Sequence, residues 1–492
     1  MLVCSLAFLL LCIAVVAVVH FVRGKRLRQI LLAVANASFL VTFVPDRRSA
    51  VYFAVVLAGT YISLLLVRYL RRGAVLTAAI VLIVLVFLYF KRFKFFASFV
   101  PVPFEWDLVQ NPVELVGLSY MLFKLVHMLV DEWQGQLAPF NLWSYLNYQL
   151  AFFTLTAGPI QRYNDFQKSW EEMSSLPTEF RESALLWCRI LMGMLKIGVL
   201  GAWAQSIFLD AAKPREYRDL ANIMVQFYVY PLYLYLNFSG YTDAMIGAGG
   251  LLGFKVPENF NHPYLARNVL DFWDRWHISV THWIRDYVFM SSYKAAATSF
   301  PRAARYWGYA LLFVALFLAG VWHGTTEGFV MFGVLNGVGA AVTRIYGDAL
   351  RGILGRKGLH AYLQNRLIRW IAVLVTLHFM CLSLLFFSSG YDQAMLLLTT
   401  AWDELIKLPA SLAGHAWGSR ETLILVVAAV LLAVLWKFDA LCSLVAGLFS
   451  GVARRPALLC TVLCAMTAVV VAVCFFDWAF QQNPPPVRYM AF

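Results

Sequence analysis

Charge is scarce in this chain. Asp, Glu, Lys and Arg make up 14% of its 492 residues and hydrophobic residues 61%, whereas a soluble domain carries roughly 25% charged residues. The shortage excludes a water-soluble globular protein and leaves a polytopic membrane protein. The eight cysteines contain no C-x-x-C pair and fall almost entirely inside apolar runs, so neither a disulfide framework nor a zinc knuckle is supported. Cys460 and Cys464 share a helix face at i, i+4, and packing is their expected role. H-E-x-x-H, G-x-S-x-G, a Walker loop and a dinucleotide fingerprint are all missing. The first apolar run, VCSLAFLLLCIAVVAVVHFV, has neither a preceding basic region nor a small-residue cleavage site, so it is expected to be a retained helix.

What is present is long apolar sequence. Stretches near 1–22, 30–44, 51–67, 74–90, 112–130, 183–209, 220–236, 304–320, 327–343, 368–388, 421–438 and 456–476 are long enough, or nearly so, to cross a bilayer. At about 20 residues per span they predict an all-α chain of roughly ten to twelve transmembrane helices. Together they form a single membrane domain, 1–492, with scaffold helices over 1–95, C-terminal helices over 346–480 and a proline-rich aromatic tail over 481–492. The net charge of +13 falls in short clusters between apolar runs: Arg23 to Arg28, Arg47 and Arg48, Arg68 to Arg72, Lys91 to Lys94. Interfacial anchoring among membrane lipids accounts for that pattern, and nucleic acid does not. By the positive-inside rule the first cluster puts the N-terminus outside. Six basic residues between Arg344 and Arg369 predict a loop at an anionic or phosphate-rich surface. Gln161 to Glu182, the longest hydrophilic piece, is either a solvated connector or a docking surface for a soluble partner.

One stretch is too polar for its surroundings. Asn259 to Trp283, NFNHPYLARNVLDFWDRWHISVTHW, holds four charged residues, three histidines and three tryptophans. Asp271, Asp274 and Arg275 would each cost roughly 2.5 to 3.5 kcal/mol at a bilayer centre, so the stretch must face protein, headgroups or a water-filled cavity. About forty residues on, an apolar run ends in Gly320-Val321-Trp322-His323-Gly324. A buried imidazole stays neutral, because burial disfavours its cation, and can take a proton from an alcohol. His323 fits that role, with Gly324 leaving room for a substrate to approach, and His277 beside Trp276 is the second candidate. Taken alone, either histidine is as readily structural. Asp243 lies in FSGYTDAMIGAGGLLGF, whose five glycines predict close helix packing. It is either a site residue or a structural partner of Arg275 or of a backbone amide. His127, near Lys124 on one helix face, is expected to pack.

At these residues the chain resembles the membrane-bound O-acyltransferase family, in the bacterial branch that includes alginate O-acetylation proteins and the teichoic acid D-alanylation transferase. The similarity rests on FSGYTDAMIGAGGLLGF (238–254), PENFNHPYLARNVLDFWDRWHISVTHWIRDYVF (257–289), GVWHG (320–324) and GPIQRY (158–163), and runs from about 110 to 345. It implies many helices, some re-entrant or interfacial, around a funnel or tunnel. It makes His323 the essential catalytic residue and His277 the second motif histidine. Asn261, Asp274, Trp276, Ser279, Trp322 and Asp243 are the residues expected to shape the site or hold substrate.

The resemblance also implies a reaction. An acyl group leaves a cytoplasmic thioester, on coenzyme A or an acyl carrier protein, for hydroxyls of an extracytoplasmic polysaccharide or cell-wall polymer, reached directly or through a partner transferase. No bound cofactor and no metal is expected. Acetyl is favoured, with D-alanyl the alternative, in the inner membrane of a bacterial cell. The final VRYMAF resembles the F-x-Y-x-x-F ending of this branch with Val487 in place of the first Phe, which makes Tyr489 a candidate acyl relay or an interfacial anchor. A different class, a channel or transporter for the acyl donor, is set against few intramembrane charges and no obvious inverted repeat.

Overall fold

A helix satisfies its backbone hydrogen bonds within one segment, which is what lipid demands, and the computed structural model of the chain is helical throughout. It describes residues 6–22, 24–42, 47–90, 117–173, 179–211, 220–324, 326–412, 451–452 and 455–480. Residues 91–116, the apolar run at 421–438 and the tail with Tyr489 lie outside the described residues. Among those described, the only strand-like pairing is a single bridge between Phe260 and Trp276.

The N-terminal group is α1 (Leu6–Phe21), α2 (Lys25–Val41), α3 (Arg47–Leu70) and α4 (Gly73–Phe90). It leads to α5 (Leu118–Trp133), the short α6 (Leu142–Leu150) and α7 (Phe152–Leu155), and α8 (Tyr163–Glu171). Then come α9 (Phe180–Leu195), which passes through a π-helical turn into α10 (Ala202–Ala211), and α11 (Leu220–Leu251). The polar stretch forms α12 (Val269–Trp273) and α13 (Ile278–Ile284), followed by α14 (Met290–Ser299). The chain goes on through α15 (Ala304–Trp322), α16 (Glu327–Gln364), α17 (Arg366–Ser389), α18 (Tyr391–Leu412) and α19 (Pro456–Phe480).

Among the described residues, 6 helices are long and apolar enough to cross a membrane: Ala50–Leu70, Phe180–Leu209, Pro301–Trp322, Glu327–Gln364, Arg366–Ser389 and Pro456–Cys474. Apolar sequence marks burial as well as lipid contact, and α5 shows the difference. Nearly all of it is buried by other helices, so this run is apolar because it is core. Even its lysine is inside. Lys124 Nζ donates to the Tyr148 carbonyl at 3.1 Å and to Thr154 Oγ1 at 2.7 Å. The scaffold is tied to this core by Arg68, whose guanidinium donates to both carboxylate oxygens of Glu132, at 2.9 and 3.0 Å.

Small residues set the closest crossings. A Cβ on Gly193 would stand 2.3 Å from the Gly240 carbonyl oxygen, so α9 and α11 touch backbone to backbone, as the glycine-rich motif predicts. One on Gly320 would stand 2.3 Å from the Gly333 Cα, which fixes the α15–α16 hairpin where the W-H-G motif begins. Two expectations need correction. The basic residues from Arg344 to Arg356 are on α16, a helix bent at Gly355 (φ 63°), and not on a loop. Cys460 and Cys464 are exposed on the outer face of α19, because the i, i+4 face they share is turned away from the core.

Candidate active site

The polar stretch folds back on itself around one asparagine. The Asn259 carbonyl accepts from the Ile278 N–H at 3.0 Å and its Oδ1 from the Ser279 N–H at 3.0 Å, while the Asn261 N–H donates to the Arg275 carbonyl at 3.0 Å. Ser279 Oγ in turn accepts from the Ile160 N–H at 2.9 Å, which fastens the G-P-I turn to the W-H-I-S turn. Held between these bonds, His277 takes left-handed backbone angles, φ 48° and ψ 48°, at the start of α13. Side chains other than glycine adopt that conformation rarely, and functional sites are where it collects.

His277 is 3% exposed. Its Nε2 shares a hydrogen bond of 3.1 Å with the Tyr120 hydroxyl from α5, and the Phe238 ring meets it edge-on at 4.6 Å. Its Nδ1 is buried with no hydrogen-bond partner among the described residues. Burial holds this imidazole well below its usual range, and a charge on His323 pushes it further down, so the two motif histidines feel each other.

Tyr120 is the link between the motifs. Its ring meets Trp322 edge-on at 5.7 Å while its hydroxyl holds His277. On its other side Gly158, at φ 77°, lies so close that a Cβ there would stand 3.0 Å from the Tyr120 ring. Trp322 packs on Phe123 at 5.1 Å, and its Nε1 is also buried without a partner among the described residues. His323 caps α15 and is half-buried, and its ring is set among Trp322, Phe387, Phe332 and Phe329 at 4.7 to 6.4 Å. Gly324 does not hold space open for a substrate. A Cβ on it would stand 2.5 Å from the Phe329 ring, so what this glycine admits is Phe329.

Other expected site residues sit elsewhere. Trp276 is buried in an aromatic cluster, stacked on Phe272 at 5.6 Å and against Phe260 at 5.0 Å, where it holds the turn's shape. Asn261 and Asp274 are exposed at the surface of the turn, whereas the His277 ring is buried. Asp243 pairs with Arg189 of α9 at 3.0 Å and with Lys196 of the π-helical turn that follows at 2.6 Å, and Arg189 also holds Glu258. Arg275, its expected partner, pairs with Asp271 instead, four residues back at 2.6 Å. Sequence reasoning missed Tyr120, Asn259, Phe238 and Phe387. Asn259 could have been found as the amide opening the polar stretch and Phe238 as the first residue of the glycine-rich motif, whereas Tyr120 and Phe387 look like ordinary apolar-run residues.

Comparison with known proteins bears on this arrangement. The chain is 31% identical over 291 residues to the teichoic acid D-alanyltransferase of Bacillus subtilis, covering 57% of this chain and 70% of that protein. It is 29% identical over 251 residues to a probable alginate O-acetylase of Pseudomonas aeruginosa, covering 51% of this chain and 46% of that one, so it spans just under half of that relative. The sequence pattern of the membrane-bound O-acyltransferase family matches residues 75–385, a span that takes in Tyr120, the folded-back turn with His277, and His323. Given that match across the whole constellation, this multi-pass membrane protein belongs to the membrane-bound O-acyltransferase family and is an acyltransferase.

Proposed function

We propose that this enzyme passes an acetyl group from a cytoplasmic thioester, on coenzyme A or an acyl carrier protein, to hydroxyls of an extracytoplasmic polysaccharide or cell-wall polymer, directly or through a partner transferase. It would work in a bacterial inner membrane, through a core at 110–345 whose helices surround a tunnel. The observation that carries the reading is a pair of buried polar atoms beside the motif histidine, His277 Nδ1 and Trp322 Nε1, that no described residue satisfies. Leaving such atoms unbonded costs about 1 to 3 kcal/mol each, a penalty that a bound substrate's oxygens would remove.

In this reading His323 takes the proton of the acceptor hydroxyl as its oxygen attacks the thioester carbonyl, held within about 3.5 Å. The C–S bond then breaks, and the departing thiolate takes the proton back from the imidazolium. His277, set by Tyr120, provides the second imidazole. Orientation supplies most of the acceleration, with no protein nucleophile required. The acceptor hydroxyl is either the polymer's own or the phenol of Tyr489, which would pass the ester outward and be regenerated.

The rings around His323 are aromatic, faces that pack against an acetyl methyl and equally attract a D-alanyl ammonium. D-alanyl transfer is the second reading, favoured by the more complete match to a D-alanyltransferase. Purified protein in liposomes, given labelled acetyl or D-alanyl thioester and an acceptor polymer, should label the acceptor with one donor and not the other. His323→Ala should lower that labelling by about 10² to 10⁴ while the protein still elutes as a folded species. A folded, fully active His323→Ala protein overturns the assignment, as does donor that crosses the bilayer without being transferred. Mass spectrometry of the C-terminal peptide tells whether label rests on Tyr489.

A further inference from the structure

The basic residues of α16, set apart by the sequence and unused by the reaction, line a cavity of their own. Arg344, Asp348 and Arg351 recur at i, i+4 and i+7, so they share one helix face. That face meets Arg305 and Tyr309 of α15 and Tyr293 of α14 around a cavity of about 680 Å³. Asp348 lies 3.5 Å from Arg305 and 3.6 Å from Arg344, and accepts from the Tyr309 hydroxyl at 2.9 Å. Two guanidiniums thus share a single carboxylate, Arg351 brings a third to the lining, and the cavity carries an excess of positive charge. Its remaining wall is apolar, with Leu270, Phe289 and Leu312.

Charge and wall together specify a ligand with an anionic end and an apolar body. Guanidinium forks match the oxygens of carboxylate and phosphate, and phosphate is the anionic group that a phospholipid carries. The cavity is also in the right place for a lipid. It opens at the N-terminal end of the candidate span Pro301–Trp322, flanked by Tyr306 at 70% exposure and Trp307 at 41%, the residue types that mark a membrane interface. Along α15, at 1.5 Å per residue, Arg305 is about 27 Å and Leu312 about 16 Å from His323, so the cavity is separate from the histidine site. We propose that this cavity binds the phosphate headgroup of an anionic phospholipid, with the acyl chains leaving along the apolar wall.

The inference does not depend on the reaction, and its test is a binding measurement. Full-length protein in detergent is titrated with phosphatidylglycerol or phosphatidylcholine and read by native mass spectrometry. One phosphatidylglycerol should be retained in preference to phosphatidylcholine. Substituting Arg305, Arg344 and Arg351 together by Gln should weaken it of the order of a hundredfold, at roughly fivefold per basic residue. The single variants, each weakened roughly fivefold, serve if the triple does not fold. Asp348→Asn removes the one negative group and should tighten binding. Gln at Arg26, Arg71 and Arg72, which are exposed on other elements, should leave it unchanged. Equal losses in the two triple variants, or equal retention of phosphatidylcholine, overturn the proposal. Displacement by millimolar inorganic phosphate or coenzyme A also overturns it, because the cavity would then read a free phosphate and not a lipid.

Discussion

His127 and His277 are both buried, at 0% and 3% exposure, and both touch a tyrosine hydroxyl of the same core. Both ring nitrogens of His127 are used. Nδ1 lies 3.1 Å from the Phe123 carbonyl and can only donate to it, so Nε2 accepts, from the Tyr163 N–H at 3.1 Å. The Tyr148 hydroxyl beside it gives its own proton to the Gln161 carbonyl at 2.7 Å. Around His277 the backbone is as firmly held, by Asn259 and by the bridge from Phe260 to Trp276, yet Nδ1 is unused by any described residue. A protein interior does not leave buried polar groups unpaired without reason. The first imidazole holds the G-P-I-Q-R-Y segment in shape, whereas the second keeps bonding capacity in reserve inside an equally rigid frame.

Matched substitutions break the comparison most sharply. His127→Ala and His277→Ala remove the same volume from equally buried sites, so the difference in their stabilities isolates the hydrogen bonds. His127→Ala strands the buried Tyr163 N–H and should unfold more easily than His277→Ala, by about 1 to 3 kcal/mol in thermal melts of the detergent-solubilised protein. Acyl transfer per folded molecule should rank the other way, with His277→Ala down about a hundredfold and His127→Ala near wild type. Were the two variants to lose stability and transfer in the same order, the contrast between a structural and a functional imidazole would be lost.

Tyr120→Phe tests the same contrast more gently. It keeps the ring against Trp322 and deletes only the hydroxyl at His277 Nε2, a bond whose loss corresponds to about tenfold in rate at most. The fall should appear in kcat with little change in KM, since the imidazole's orientation and not the substrate's grip is disturbed. An unchanged kcat would mean that Asn259 and the aromatic ring of Phe238 orient His277 without help.

The sequence exposed the ends of this arrangement better than its middle. Polar residues that lipid cannot hold mark Asn259 to Trp283, and His323 stands out where an apolar run stops, because both break a strong compositional background. Tyr120 breaks nothing. It lies in LSYMLFKLVHMLV, a run whose apolarity reads as lipid contact but arises from burial by other helices. Polarity also says nothing about direction, and so Asp274 and Asn261 looked like site residues although the turn sends them to its surface. Pairing is hidden for the same reason. Asp243 finds Arg189, 54 positions away, through a helix crossing at Gly193 and Gly240: the glycine-rich motif announces a close crossing but not which helix makes it.

Ser279 belongs to both regions and separates their roles most finely. Its hydroxyl accepts the Ile160 N–H from the segment that His127 shapes, while its own N–H is held by Asn259 next to His277. Ser279→Ala removes the first bond and leaves the second, so a buried amide loses its acceptor and stability should fall by about 1 to 2 kcal/mol. The backbone at His277 is still clamped, and transfer per folded molecule should therefore move by less than about twofold, well inside the effect of one lost hydrogen bond. A larger loss of transfer with an unchanged melting temperature would place the hydroxyl in the reaction itself, and would shift the boundary between frame and site one residue past His277 and Ile278 into α13.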